Sequence, residues 1–530
     1  MFRHCLRSFL AACVVVMAGV HPALAQTLTI AWPQNVGTVN PHLYSPEQMF
    51  AQAMVYEGLV RLGDDGRIEP ALASAWTMSE DGRRYRFTLR EGVRFSNGDP
   101  FDAQAVADNV RAILENRARH EWLALIEQIE RVEAIDARTV EFVFKSAYYP
   151  VLQELALVRP MRFMAPSAFG ADGGTRNGIR APIGTGPWKH VETRLGEYDV
   201  FERNDGYWGK PAGYQRVVVK VIPDPTSRAI ALQTGEVDLV YGMGGLLAPD
   251  AFEQFRRMPG YTATLSPPYE GLSLALNTAH GPTRELAVRR AINHAVDKDT
   301  LVASVLHGSQ RRADFLFNRN VPYADSVSLT SYAYAPARAE ALLEAAGWLR
   351  PRPGAVREKD GARLTVELLY TGTDGVMKSL AEVLQADLAK AGIGVALRAE
   401  EAGSVQARMR DGRFGMVFNR TWGAPYDPHA YVGSMRSPSH ADYQAQRGLP
   451  EKAALDADIT RVLSTVDEAE RRTLYARILR TLHEEAVYLP LTEVGAIAVA
   501  RAALGEIPFA PMSSELPLAR MQPPSGEARR

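Results

Sequence analysis

Residues 75–101 read AWTMSEDGRRYRFTLREGVRFSNGDPF. After the turn-forming Glu80-Asp81-Gly82-Arg83, the apolar Tyr85, Phe87 and Leu89 alternate with Arg84, Arg86 and Thr88. Successive side chains of a strand point to opposite faces, so this spacing predicts a hairpin arm with one face on a core and one in water. Working outward, Leu28, Ile30 and Trp32 alternate in the same way, as do Val140, Phe142 and Phe144. Val217 to Ile222 is a nearly continuous apolar run, which predicts a buried strand. Helical spacing lies between these strands. Val106, Val110, Ile113 and Leu114 share one helix face. Thr283, after Pro282, is expected to cap a helix holding Val288, Ala291, Ile292, Ala295 and Val296. Met377, Leu380, Leu384 and Leu388 form a stripe that Gly392 ends, and the strand Val395 to Arg398 follows at once. Strands alternating with helices predict α/β layers. Residues 170–178 and 349–363 read as Gly/Pro/Arg-rich surface loops, and Pro523 to Arg530 as a disordered tail.

The chain has 530 residues, room for two to four domains at roughly 150 residues each. Lys+Arg is 60 and Asp+Glu is 61, a balance that argues against a nucleic-acid partner, which needs a basic excess. Thirty-three Pro and 42 Gly imply many turns and argue against a long helical bundle.

The first 25 residues read as an export signal: basic Arg3, His4 and Arg7, an apolar run from Ser8 to Val20, and small residues in Ala23-Leu24-Ala25 before cleavage at Gln26. The rival reading, a lipoprotein box at Leu10-Ala11-Ala12-Cys13, would leave almost no apolar run before the cysteine. Cys5 and Cys13 both lie in the signal, so the exported chain carries no thiol for a disulfide, a zinc site or a nucleophile.

Catalytic motifs are missing. There is no G-x-S-x-G, no G-x-x-x-x-G-K-[ST] and no H-E-x-x-H; His120-Glu121 and His483-Glu484 begin the last and do not complete it. Gly184-Thr185-Gly186-Pro187-Trp188 opens like a phosphate loop, but Pro187 removes an amide donor and Trp188 crowds the approach, so it reads as a rigid turn before a strand. An exported chain without such motifs is more often a binder than an enzyme.

Taken jointly, several segments resemble the large extracellular solute-binding proteins of ABC importers, the peptide/nickel family. They include the stretch from Ala75-Trp76 to Pro100-Phe101, the Gly184–Trp188 turn, Asn204 with Tyr207-Trp208-Gly209, Gly235-Glu236-Val237-Asp238, Ala275-Leu276-Asn277 and Ala346-Gly347-Trp348. Within the family the strings Pro41-His42-Leu43-Tyr44, Gln48-Met49-Phe50 and Arg420 to His429, followed by Ser439-His440-Ala441-Asp442, are most similar to its nickel-binding members. The resemblance implies a two-lobed periplasmic-binding-protein fold with two crossover hinge strands. Lobe I would comprise 26–270 and 491–530, with an extra subdomain at 63–182, and lobe II 271–490. It also implies a periplasmic monomer serving an inner-membrane ABC permease and in some cases a chemoreceptor. A dipeptide, oligopeptide or haem receptor is the alternative, with Asp427 a candidate partner for a peptide amine.

An exported chain without Cys, and with no His pair at helical or strand spacing, is poorly equipped to hold bare Ni²⁺. The resemblance implies that nickel arrives inside a small organic chelator, with no covalent cofactor, and that His440 completes its coordination as neutral imidazole. Binding is then expected to weaken below pH ~6.5. Arg119 and Arg159 would face the chelator's carboxylates, Trp122 and Trp422 would pack against it, and Tyr44, Met49 and Tyr426 would complete the wall. Tyr44, Met49, Arg119, Trp122 and Arg159 fall in the first lobe's sequence; Trp422, Tyr426 and His440 fall in the second's. His429, after Asp427-Pro428, reads as a turn residue.

Overall fold

The computed structural model describes residues 27–43, 49–120, 122–243 and 246–524. The expected export signal, Tyr44 and the last six residues of the expected tail lie outside them.

The alternating stretch forms the strand Arg84–Leu89, with Tyr85, Phe87 and Leu89 buried and Arg84, Arg86 and Thr88 exposed. It lies between Ala73–Met78 and Thr139–Phe144, and Ile129–Asp136 completes an antiparallel four-stranded sheet. Phe87 meets Phe142 edge-on, with centroids 5.5 Å apart. The helix Ala103–Glu115 packs on this sheet and buries Val106, Val110 and Ile113. Its first turn is capped by Asp102, whose carboxylate accepts the Ala105 amide at 2.8 Å.

Two larger sheets carry the lobes. The first has seven strands in the order Tyr261–Leu265, Ile497–Arg501, Leu239–Gly242, Thr27–Trp32, Arg216–Val221, Tyr198–Arg203, Trp188–Arg194. Thr27–Trp32 is central and parallel to both neighbours, with Thr27 opposite Arg216 and Ile30 opposite Leu239. The second has six, in the order Arg311–Arg312, Tyr488–Val494, Glu270–Leu276, Met416–Arg420, Thr365–Thr371, Gly394–Glu400. The helix Gly375–Lys390 covers it with Met377, Leu380, Leu384 and Leu388 buried, and Gly392 follows at φ 80°. The Gly184–Trp188 segment is a turn leading into Trp188–Arg194; a side chain at Gly184 would collide with the Val55 carbonyl.

The chain passes between these sheets twice, at 265–270 and at 494–497, and the two crossings lie side by side. The amides of Ser266 and Tyr269 donate to the carbonyls of Ala496 and Val494, each at 2.9 Å. Gly495 sits where they approach, and a Cβ there would stand 2.7 Å from Ser266 Oγ and 3.1 Å from the Ser266 carbonyl.

Three local expectations change. Arg216–Val221 is not buried on both faces: Val217 and Val219 are buried while Val218 and Lys220 are half-buried, because one face of the sheet is only partly covered. Thr283 does not cap a helix. Its hydroxyl turns back to the carbonyls of Asn277 (2.7 Å) and His280 (2.8 Å), and the helix starts later, at Leu286. The 349–363 loop contains a two-stranded hairpin, Glu358–Lys359 with Ala362–Arg363, beside a fully buried Arg357 that donates to the carbonyls of Ala391 and Trp348.

Candidate ligand-binding site

Met49 opens the short helix Met49–Val55, and its sulfur receives the Arg159 Nε–H at 3.2 Å. Arg159 is buried, and its guanidinium carbon stands 5.1 Å from the centre of the Trp122 ring. The Trp122 ring lies 6.1 Å from Tyr426, Tyr426 lies 6.3 Å from Trp422, and Trp422 lies 5.8 Å from the His440 imidazole. Six of the eight expected residues therefore form one unbroken run of contacts, three from before the first crossing and three from after it. Arg119 is exposed in the turn Arg117–His120, and no contact joins it to that run among the described residues. It shares with Arg159 an effect on His120, whose pKa is pushed down to about 4, first by burial and then by these charges.

Each aromatic wall is held from behind. Asp427 is fully buried and accepts the amides of Trp422 (3.1 Å) and Gly423 (2.9 Å), which folds the 422–427 loop onto itself. Burial pushes its pKa up to about 7 against the pull of those donors. Both of its oxygens serve the loop, and it also lines the wider cleft. His440 precedes the short helix Ala441–Gln446. Two residues on, Asp442 Oδ1 accepts from Asn419 Nδ2, Tyr431 OH and Tyr488 OH, each at 2.7 Å. Burial lowers the His440 pKa, with Asp442 opposing. The imidazole stays neutral to a lower pH than a free one, so the onset of protonation falls below the expected ~6.5.

His429 is not a turn residue. It is the first residue of the helix His429–Ser434, is buried, and has Nε2 3.4 Å from Glu154 Oε1. With Trp122 and His440 it lines a cavity of about 170 Å³. A wider cleft of about 920 Å³ continues past Tyr149, Asn318, Tyr323 and Phe509. Among the described residues no cluster of three or more His, Cys, Asp or Glu could hold a metal ion, and no helix is long and apolar enough to cross a membrane. One imidazole, a buried guanidinium and three aromatic rings suit a flat or anionic complex whose own donors fill most of a metal's sphere.

The chain matches the model of the bacterial extracellular solute-binding proteins, family 5 (middle), over residues 67–443. It is 53% identical over 504 residues to the nickel-binding periplasmic protein of Escherichia coli (strain K12), covering 95% of this chain and 96% of that one. The glutathione-binding protein GsiB of Salmonella paratyphi A (strain ATCC 9150 / SARB42) is 26% identical over 490 residues, covering 89% and 90%. NikA from Brucella suis, solved in complex with Fe(III)-EDTA, matches with a TM-score of 0.92 and 58% identity over 94% of this chain and 99% of that one. The chain belongs to the bacterial extracellular solute-binding proteins, family 5.

Proposed function

We propose that this protein is the periplasmic solute-binding component of an ABC importer, capturing chelated nickel between its lobes and delivering it to the membrane permease. The observation that supports this reading is the run of contacts Met49–Arg159–Trp122–Tyr426–Trp422–His440, which joins a guanidinium, three aromatic rings and one imidazole. The similarity to an Escherichia coli nickel-binding periplasmic protein and to NikA holding Fe(III)-EDTA supports it. In this reading lobe I is 26–270 and 491–530, with 63–182 a subdomain, and lobe II is 271–490. Tyr44 and Arg119 contribute once ligand is in place. The chelator's carboxylates meet the guanidinium side and His440 meets the metal. A ligand touching both walls favours the closed form by its differential contact with it.

Calorimetry tests this directly. Ni²⁺ alone is expected to give little heat and Ni²⁺ with excess L-histidine clear binding, lost in His440→Ala. Equal uptake of both forms, or full binding by the variant, would overturn the reading.

A further inference from the structure

We infer that the segment 510–515, through Met512 and Glu515, sets the position of the Arg159 guanidinium in the ligand site. Arg159 lies in the stretch 156–162, which Arg162 folds around itself. The buried Arg162 guanidinium donates through Nε to the Leu157 carbonyl at 2.9 Å and through Nη2 to the Ala156 carbonyl at 3.3 Å. Its Nη1 reaches the Tyr56 carbonyl at 3.4 Å, just past the helix Met49–Val55. One side chain thus fastens the stretch carrying Arg159 to the element carrying Met49, whose sulfur accepts from Arg159.

Residues 510–515 back this arrangement at two points. Glu515 Oε1 accepts Arg162 Nη2 at 3.2 Å. Removing one member of a buried ion pair leaves the other charge uncompensated, so the geometry around Arg162 depends on this carboxylate. Met512 is 2% exposed and forms a small apolar cluster with Leu62 and with Val158, the residue before Arg159. Met49 packs against the same cluster, as does Ala424 from the loop that carries Trp422 and Tyr426. Truncating Met512 opens a cavity into which its neighbours collapse only in part, and those neighbours include Met49 and the backbone beside Arg159. The segment is itself pinned. The Ala510 carbonyl accepts the Tyr269 hydroxyl at 2.5 Å, and the Ala510 amide donates to the Tyr241 hydroxyl oxygen at 3.1 Å. Ser513 Oγ lies 3.5 Å from Glu270 Oε1. Tyr269 and Glu270 end the 265–270 crossing, so a segment anchored there braces the Arg159 side of the site. Met512 and Glu515 are positioning residues that act through Arg159, and their effect on binding rests on the proposed function, which sets Arg159 against the chelator's carboxylate.

The test uses the full exported chain and its Met512→Ala and Glu515→Ala variants. Calorimetry compares Ni²⁺ with L-histidine against Ni²⁺ with histamine, which keeps the imidazole and amine and lacks the carboxylate. Each variant is expected to lose roughly tenfold in affinity for the L-histidine complex, the scale of one charge-assisted contact, and much less for the histamine complex. Met512→Leu, which nearly keeps the volume, should bind both complexes as the parent does. A variant that weakens both complexes equally, or neither, overturns the role of its residue. Crystals of the unliganded variants give a second readout. The Arg159 guanidinium is expected to leave Met49 Sδ and the Trp122 face; if it keeps both contacts, Met512 and Glu515 do not position it. A parent that binds neither complex overturns the nickel reading, while the place of Arg159 in those crystals still decides what the two residues do. Should Met512→Ala not fold, calorimetry and crystals of Glu515→Ala decide.

Discussion

The hydroxyls of Tyr149 and Tyr475 stand 2.6 Å apart, joining side chains 326 residues apart in sequence. They are the centre of a clasp that, in the proposed division of the chain, joins the two lobes. The Tyr149 amide donates to the Leu463 carbonyl at 3.2 Å, the Arg471 guanidinium lies 4.8 Å from the Tyr149 ring, and Tyr323 stacks on Tyr475 at 4.7 Å. Burial raises the pKa of both tyrosines, so both hydroxyls stay protonated and one donates to the other. None of these contacts involves ligand, and the bonds across the lobes exist only when the lobes are together.

Tyr149→Phe removes the shared hydroxyl bond and leaves the buried Tyr475 oxygen without it. The closed form should lose about 1–3 kcal/mol relative to the open one. Small-angle scattering of the unliganded variant should show a larger radius of gyration, and chelate affinity should fall, by about twofold at most while the closed form stays the majority state and by more once it does not. An unchanged scattering profile would mean that closure does not depend on this pair.

Asp427→Ala leaves the amides of Trp422 and Gly423 without an acceptor inside the protein. Losing two hydrogen bonds to a buried carboxylate should cost about 2–4 kcal/mol, read as a lower midpoint in urea unfolding. The larger effect should fall on binding, because Trp422 and Tyr426 are both set by this loop. Asp427→Asn keeps one acceptor oxygen and should recover part of both losses. Equal affinity in parent and Asp427→Ala would show that the loop holds its shape without the carboxylate.

These two residues also mark what the sequence hides. Period-2 and period-3.6 patterns locate Arg84–Leu89 and Gly375–Lys390 because each packs one face against a neighbouring layer, and that preference is written in consecutive residues. The string around Trp422 and Tyr426 points to the site by resemblance. Nothing local says that Asp427 accepts the amides of Trp422 and Gly423. His429 reads as a turn after Asp427-Pro428, yet a proline beside a helix start is equally ordinary, and its burial beside Glu154 depends on a residue far away in sequence. The Tyr149–Tyr475 pair is invisible for the same reason: the partner is fixed by lobe closure, not by spacing.

Acid should weaken the fold through two buried histidines. His42 is fully buried, with Nδ1 3.0 Å from Thr175 Oγ1 and Nε2 3.1 Å from the Arg162 carbonyl, and burial pushes its pKa down to about 4. His120 is pushed down to about 4 as well. In the unfolded chain both titrate near 6.5, so between those values the unfolded state binds more protons. The contribution is complete above ~6.5 and is lost as pH falls toward about 4, with a slope of up to about 1.4 kcal/mol per pH unit for each group. Urea unfolding at pH 7.5, 6 and 5 should show this slope, and His42→Gln should flatten it. A parent stability independent of pH across that window would contradict the assignment.

The last prediction concerns the support beneath His440. Asp442 Oδ1 takes three donors, from Asn419, Tyr431 and Tyr488, and Tyr431 also touches Trp422, with ring centres 6.0 Å apart. The same carboxylate therefore braces the imidazole's helix and the aromatic wall. Asp442→Leu fills similar space but strands three buried donors, which should cost about 3 kcal/mol or more. It should also reduce chelate affinity, by freeing the turn that carries His440. Asp442→Asn retains an acceptor oxygen and should keep most of the stability. A clear split, with both variants folded and only Asp442→Leu weak in chelate binding, is expected from paired melting and calorimetry. Equal binding in the two would separate His440 placement from this tether, because the donors would then have found other partners without moving the imidazole.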